Sequence, residues 1–435
     1  MSDGDLAMLG WCDLGSIVRT RPVPLDRLDS RRRFGMGYAT AGVAITPFDG
    51  IVENPWGPMD EMRLVPVEGA EIAVAAREMH PAMHLHLSRA LAADGTPGEF
   101  CPRNFCQAAV EALEAETGWT LWSAFEHEFT VIEPTLRFGP VYSVQALRSI
   151  APFVHESVAA LRPLAIECFE PEFGHGQFEA SFAPAVGVGG ADRAVLAREV
   201  LREVARRHAL RITFSPKPAP EGVGSGMHVH FSFRDRGGRA VLYDPRAPAT
   251  VSADAASFIA GVIRHIGALT AISAPSPVSY LRLGPGHWSC GYGAFGVQNR
   301  EAALRVCPSA DPSPQAAAAA TNLELRIPDG TCNPYLALGA LVRAGLEGMR
   351  ERLPLPPVVA GDPARLAEDE RRRLGVEPLP ASLEAALAAL LEDRLAREWM
   401  PPTLHSTFVS IKRAEAAAQE SATAAQMCAA YVRRY

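Results

Sequence analysis

Residues 213–233 read TFSPKPAPEGVGSGMHVHFSF. From Met227 onward polar and apolar residues alternate, which predicts a β-strand with His228, His230 and Ser232 on one face and Val229, Phe231 and Phe233 on the other. One face offers donor atoms and the other offers core. Gly224-Ser225-Gly226 precedes the strand as a turn without bulk, through which backbone amides can approach a ligand, and Pro216-Lys217-Pro218 stiffens the approach.

Outward from this strand the same alternation recurs. Residues 121–132, LWSAFEHEFTVI, read as one strand with Trp122, Ala124, Glu126 and Glu128 on a shared face. QFEASF, residues 177–182, sets Gln177, Glu179 and Ser181 against Phe178, Ala180 and Phe182, with Glu172 upstream across a Gly-His-Gly turn. NLELRIPDG, residues 322–330, sets Glu324 and Arg326 against Leu323, Leu325 and Ile327. In PVSYLRL, residues 277–283, Tyr280 and Arg282 alternate with leucines, and the Gly-rich loop GPGHWSCGYGAFG follows at 284–296. NREAALRV then supplies Arg300 and Arg305.

If these strands form one sheet, Glu126, Glu128, Glu172, Glu179, Glu324 and His228 converge. Several carboxylates in a partly dehydrated cavity are disfavoured as anions unless cations share it. A donor set rich in carboxylate oxygen, with one imidazole and no thiolate, suits magnesium or manganese better than zinc or copper. Arg282, Arg300, Arg305 and Arg326 approach the same region, and guanidinium forks grip carboxylate and phosphate oxygens. Metals and arginines beside a Gly-rich loop imply a nucleotide and an anionic substrate. His-x-His alone also occurs in cupins and metal hydrolases. A cupin needs a glutamate three or four residues past His230, where the nearest acid is Asp235, and a hydrolase needs further histidines that His265 and His287 do not supply.

The rest of the chain predicts an α+β protein. Residues 8–24 read as two strands, 62–67 and 71–76 as two more, and 94–103 as a linker that closes a small sheet-rich domain. Helices are expected over 103–117, stopped by Gly118, and over 191–209, 252–272, 383–395 and 404–434, with 310–321 a linker and 353–363 a long loop. A formal charge of −7 over 435 residues argues against nucleic acid and anionic membranes as partners. The eight cysteines form no CxxC pair, the first residues carry acids where a signal peptide has bases, and no apolar run approaches the ~20 residues a membrane helix needs. A cytoplasmic protein with reduced thiols is expected.

Taken together, these motifs identify the chain as similar to the glutamine synthetase family. FEHEF resembles its paired-glutamate strand, EFGHGQFE its next carboxylate pair, and TFSPKP with GSGMHVHFS its signature for ATP and glutamate. SYLRL, NREAALR, LELRIPDGTCNPYLALGALVRAGLEG and the late Lys412-x-x-Glu415 follow in the family's order. The resemblance implies an N-terminal β-grasp-like domain over 1–98 and a catalytic domain over 99–435 with a curved antiparallel sheet flanked by helices. It implies two to three magnesium or manganese ions per site, with Glu128, Glu172 and Glu179 holding one and Glu126, His228 and Glu324 another. ATP would lie against His230, Ser232, Arg305 and Lys217. Glutamate would meet Gly224, Arg282 and Arg326, and Arg300 and Arg305 would act on the transferring phosphoryl group. The family phosphorylates the γ-carboxylate of glutamate and lets an amine attack the acyl phosphate. Its members are homo-oligomers, dodecamers of two hexameric rings with active sites between subunits.

Departures from the family pattern cluster on the amine side. The flap glutamate expected six residues after Arg282 is Trp288, the family's Asn-Gly-Ser-Gly is Val223-Gly224-Ser225-Gly226, and an arginine expected before Glu324 is Asn322. The acidic latch of the N-terminal domain has no counterpart in residues 34–52. Ammonium needs carboxylates to bind it and take its proton, whereas a larger amine can rest on an aromatic wall. The expectation is therefore a γ-glutamyl-amide ligase for an organic amine, with Trp288 at the amine site. A true glutamine synthetase, a ligase for another acid, and a nucleotide-binding sensor without activity are the alternatives.

Overall fold

A computed structural model of the chain describes residues 4–132, 138–286, 288–307, 309 and 313–435, the side chain of Pro314 excepted. His287 and residues 310–312 of the expected linker lie outside the described residues. The fold is α+β. Near the N-terminus β1 (Leu6–Cys12), β2 (Val18–Pro24), β3 (Met36–Ala39), β4 (Glu61–Val74) and β5 (Met83–Leu91) form a β-grasp-like sheet in the order β2-β1-β5-β4-β3. β1 and β5 run parallel at its centre. The two strands expected over 62–67 and 71–76 are one 14-residue strand, β4, whose pairing with β5 shifts register between Pro66 and Glu71. Pro66 has no N–H to donate, and a bulge beside it interrupts the ladder without ending the strand.

Among the described residues, ten further strands build the part that carries the candidate site: β6 (Thr120–Phe125), β7 (His127–Val131), β8 (Ile166–Pro171), β9 (Gln177–Phe182), β10 (Ala185–Val186), β11 (Ile212–Thr213), β12 (Val229–Arg234), β13 (Phe295–Val297), β14 (Leu304–Cys307) and β15 (Asn322–Leu325). They do not form the single sheet expected. A six-stranded sheet runs β10-β6-β12-β15-β14-β13 and a four-stranded one runs β11-β7-β9-β8. The stretch 121–132 is likewise two strands, since the chain leaves one sheet and enters the other at Glu126. Phe125, His127 and Phe129 stay buried across the break, so the alternation gives no sign of it. The seam is closed by the segment leading into β12: the Glu126 N–H donates to the His228 carbonyl at 3.0 Å and the Glu128 N–H to the Gly226 carbonyl at 3.2 Å.

β12 lies between β6 and β15, both antiparallel to it. Its apolar face packs Phe231 and Phe233 on Phe258 of the helix Ala253–Arg264. That helix crosses the Pro334–Glu351 helix where Gly261 meets Gly348, and a Cβ on Gly348 would lie 2.1 Å from the Ser257 carbonyl oxygen. The Pro334–Glu351 helix begins on Asn333, whose side chain accepts from the Tyr335 and Leu336 amides.

Helices 103–117 and 191–209 are present as Pro102–Thr117, ended by Gly118 at φ 72°, and Gly189–Arg207. The expected helix 252–272 is two, Ala253–Arg264 and Ile266–Ser273, bent by 70° at His265, whose Nδ1 pairs with Asp393. Residues 383–395 also divide, because Asp393 caps a second helix, Arg394–Trp399. Residues 404–434 divide into Pro402–Gln419 and Ala424–Val432, the latter started by a Thr423–Gln426 capping box. Pro277–Leu281 is a 3-10 turn, not an alternating strand, and the linker reading of 310–321 gives way to a helix at Pro314–Ala320 capped by Ser313.

Arg198 is fully buried and ties the β1–β2 turn to the segment after β15, donating to Ser16 Oγ at 3.0 Å, the Ser16 carbonyl at 3.2 Å and the Gly330 carbonyl at 2.9 Å. All eight cysteines are free thiols. No single helix among the described residues is long and apolar enough to cross a membrane.

Candidate active site

The site is built on the seam between the two sheets. Glu126 stands at the break, Glu128 on β7, Glu324 on β15, and His228 one residue before β12. His228 Nδ1 lies 3.4 Å from Glu126 Oε2, 3.4 Å from Glu324 Oε1 and 3.9 Å from Glu128 Oε1. Glu126, His228 and Glu324 bring their donor atoms within 4.8 Å of one another and could hold a metal ion. Beside them β7, β9 and β8 pair Glu128 with Glu179 and Glu179 with Glu170, a row of three carboxylates across three strands. Glu172 follows β8, and its N–H donates to the Gln177 carbonyl at 2.9 Å.

Small residues let these groups meet. The Gly226 N–H donates to Glu128 Oε2 at 2.8 Å, and Gln177 Nε2 spans Glu128, the Gly224 carbonyl and Ser225 Oγ at 3.2, 2.8 and 3.1 Å. A Cβ on Gly226 would stand 2.7 Å from both Arg282 Nη2 and His228 Nε2, and one on Gly224 would stand 2.7 Å from Arg282 Cγ. Arg282 is itself buried, with Nη1 on the Ile327 carbonyl and Nη2 on the Arg326 carbonyl and His228 Nε2.

Glu324 is the charge centre. Arg326 Nη1 and Arg305 Nε pair with its two oxygens, and His230 Nε2 approaches Glu126 Oε1 at 3.0 Å and Glu324 Oε2 at 3.6 Å. Arg326 also reaches the flap, with Nη2 on the Trp288 carbonyl at 2.7 Å and Nε on the Arg300 carbonyl at 2.9 Å. The Trp288 N–H donates to Glu301 Oε1 at 3.1 Å, so its backbone is held from both sides while its side chain is exposed. Arg300 is exposed at this lip. Ser232 shares the polar face of β12 two residues past His230, opposite Trp122. Lys217 stands apart: it is buried, and the charges acting on it are those of Cys428 and Glu221 rather than the carboxylate cluster.

The carboxylates divide into two electrostatic classes. Burial, reinforced by Glu126, Glu128 and Glu172, pushes the Glu179 carboxyl up to about 10, and burial lifts Glu128 to about 7 against the pull of Arg282. Glu172 is raised as well, chiefly by burial. Burial acts in the same sense on Glu324 and Glu126 but is outweighed there. Arg326, His228 and His230 hold Glu324 down at about 2, and His230 with His228 holds Glu126 well below the usual carboxylate range. The imidazoles differ too, since burial and Arg326 lower His228 to about 4, whereas Glu126 overcomes burial at His230 and raises it. Carboxylates that resist ionisation only because of burial and one another fit a cation, and oxygen donors with one neutral imidazole fit a hard one.

Several participants escape the sequence reading. Glu170 carried a signal, since Cys168 and Glu170 alternate along β8 and Glu172, the residue after it, continues the spacing. Tyr142, whose hydroxyl and the Glu172 carboxyl act on each other's ionisation, sits in a loop and carried none. Asn322 takes a partner that only strand register reveals: its Oδ1 lies 2.8 Å from His230 Nδ1.

Two family models cover nearly the whole chain: the glutamine synthetase N-terminal domain matches residues 4–98 and the glutamine synthetase catalytic domain matches residues 99–431. A gamma-glutamylpolyamine synthetase, GlnA3, of Streptomyces coelicolor is 34% identical over 373 residues, 82% of this chain and 78% of that protein. A glutamine synthetase of Methanocaldococcus jannaschii is 31% identical over 79% of this chain and 75% of its own length, and a glutamate–isopropylamine ligase of a Pseudomonas species is 29% identical over 60% and 59%. Among solved structures, a novel glutamine synthase homolog superposes with a TM-score of 0.92 at 37% identity, covering 100% of this chain and 99% of that one. The ADP complex of GmaS superposes at 0.81 with 26% identity over 96% and 94%. With the fold, the carboxylate-and-imidazole centre and both family domains in agreement, the chain belongs to the glutamine synthetase family of ATP-dependent carbon–nitrogen ligases, which use divalent metals.

Proposed function

We propose that the protein joins the γ-carboxylate of glutamate to an organic amine, at the expense of ATP and through a γ-glutamyl phosphate. The observation that carries this reading is Trp288. At the flap position where the family has a glutamate stands an indole that is 62% exposed, on a backbone pinned by Glu301 and Arg326. An aromatic face attracts an alkylammonium by roughly 0.5–2 kcal/mol but cannot take a proton from ammonium. The names of two relatives, a gamma-glutamylpolyamine synthetase and a glutamate–isopropylamine ligase, support the same direction.

In this reading Glu128, Glu172 and Glu179 hold one magnesium or manganese ion, and Glu126, His228 and Glu324 a second. Ions held there would supply positive charge to offset that of the nucleotide's phosphoryl oxygens. Arg282 and Arg326 grip the α-carboxylate of glutamate, and the Gly224 backbone meets the substrate. Arg300 and Arg305 stabilise the phosphoryl group in flight, and His230 and Ser232 line the ATP side, from which Lys217 stands apart. The γ-carboxylate oxygen attacks the terminal phosphorus and ADP leaves. The amine nitrogen then attacks the acyl carbon, phosphate departs, and the ammonium proton passes to solvent or a nearby carboxylate. We extend the family's assembly, two stacked hexameric rings, and a cytoplasmic location to this chain as part of the proposal.

The test is ADP release with magnesium, ATP and glutamate, comparing ammonium with methylamine, diamines, polyamines, ethanolamine and aromatic amines. An organic amine that drives turnover well above ammonium is the expected result. Faster turnover with ammonium would make this a glutamine synthetase, and silence with every amine would move the question to the acid.

A further inference from the structure

Glu126 and Glu324 each show their two oxygens to different partners. Glu126 Oε2 and Glu324 Oε1 face His228, whereas Glu126 Oε1 and Glu324 Oε2 face His230 Nε2. On this second side a thiol joins them: Cys307 Sγ lies 3.3 Å from Glu324 Oε2, and donor atoms of His230, Cys307 and Glu324 all lie within 4.8 Å of one another.

The hydrogen bonds around Asn322 fix which imidazole nitrogen can act as a donor of electrons. Asn322 Nδ2 donates to the Ala320 carbonyl at 3.1 Å, which turns its Oδ1 toward His230 Nδ1. With Asn322 Oδ1 as its acceptor, Nδ1 keeps its proton, so Nε2, which faces Glu126, Glu324 and Cys307, is the nitrogen that would yield its proton to a cation. Imidazoles that bind metals are held in this way, with the second nitrogen donating to an outer oxygen. Cys307 and Asn322 are directly opposed in the β14–β15 register, so one strand pairing delivers both the thiol and the group that orients the ring.

We propose that His230 Nε2, Cys307 Sγ and Glu324 Oε2 form a subsite for a thiophilic divalent cation of the zinc class, beside the carboxylate-rich centre. Zinc bond lengths at tetrahedral angles place sulfur–oxygen ligand pairs about 3.5–3.7 Å apart and nitrogen–oxygen pairs about 3.3–3.5 Å apart. The two corresponding distances here are 3.3 and 3.6 Å. Glu126 Oε1, 3.0 Å from Nε2, is positioned as a fourth donor, and Arg305, bonded to Glu324 Oε2, serves as that carboxylate's outer partner. On binding, the Cys307 thiol proton and any proton on Nε2 pass to solvent. The subsite does not depend on which amine the enzyme uses.

Cobalt(II), added to the full-length protein in excess magnesium, serves as a coloured probe. A thiolate-to-cobalt charge-transfer band in the near ultraviolet is expected, displaced by zinc. It should persist in Cys168→Ser, which removes the exposed thiol, and vanish in Cys307→Ser. Asn322→Ala should weaken cobalt binding about 10- to 100-fold. Thermal unfolding in magnesium checks the fold of each variant. As a measurement without substitution, zinc should slow alkylation of Cys307, read on its peptide by mass spectrometry. No band in the unaltered protein, a band that survives Cys307→Ser, or alkylation at equal rates with and without zinc would overturn the assignment.

Discussion

In the proposed reading, Trp288 is where a single side chain decides most. Replacing it with alanine should raise the KM for the preferred organic amine about 2- to 30-fold, the range a cation–π contact of roughly 0.5–2 kcal/mol spans. Trp288→Glu should move preference toward ammonium by restoring a proton acceptor to the flap. Steady-state kinetics with both amines checks each outcome, and a KM for the organic amine that stays put in Trp288→Ala would remove the indole from the amine site. The six carboxylate and imidazole residues of the centre were legible because each interrupts an apolar alternation with a donor. Two features were not legible at this scale. Cys307 reads as a scattered thiol and Asn322 as a missing arginine until β14 pairs with β15 and sets both beside His230. The flap's attachment to Arg326 was hidden for another reason, since it runs through the Trp288 carbonyl, which sequence does not distinguish from any other.

At the scale of elements, periodicity located β6, β7, β9, β12 and β15 but not their sheets, and it read an alternating strand into the 3-10 turn Pro277–Leu281. An alternation of period two is the same whether a strand continues or passes to a neighbouring sheet, so the break at Glu126 left no trace in LWSAFEHEFTVI. The helix breaks were more visible in hindsight. Asp393 and Thr423 are strong N-caps inside apparently continuous helical patterns, and each starts a new helix. Packing between elements yields its own prediction at the Gly261–Gly348 crossing. A methyl group at residue 348 would overlap the Ser257 carbonyl and the Gly261 amide, backbone atoms that cannot rotate away. Gly348→Ala should therefore cost about 1–3 kcal/mol or more, read from chemical denaturation, and a neutral substitution would mean that the helices separate easily.

For the molecule as a whole, the β-grasp-like sheet and the rest share one hydrophobic cluster that includes Trp11, Leu85, Phe105 and Trp119. Arg198 reinforces this junction from inside. Arg198→Ala would leave Ser16 and the Gly330 carbonyl without their donor and open a cavity, a loss of about 3–5 kcal/mol. Differential scanning calorimetry should show one lowered transition, because the shared core couples both parts. Two separated transitions would instead support independent folding of the segments 1–98 and 99–435, the division proposed for this chain. The α+β class and the order of the segments were readable from the motifs, while the burial of Arg198 was not, since an arginine within an amphipathic helix reads as solvent-facing.

Arg326 has one guanidinium and three obligations: Glu324 on the floor of the site, the Trp288 carbonyl at its lip and the Arg300 carbonyl between them. A cation that draws Glu324 toward itself changes how firmly that guanidinium holds the lip. Thermodynamic reciprocity then requires the converse. If magnesium tightens amine binding by some factor, the amine must tighten magnesium by the same factor, and calorimetric titrations run in both orders should return a single number.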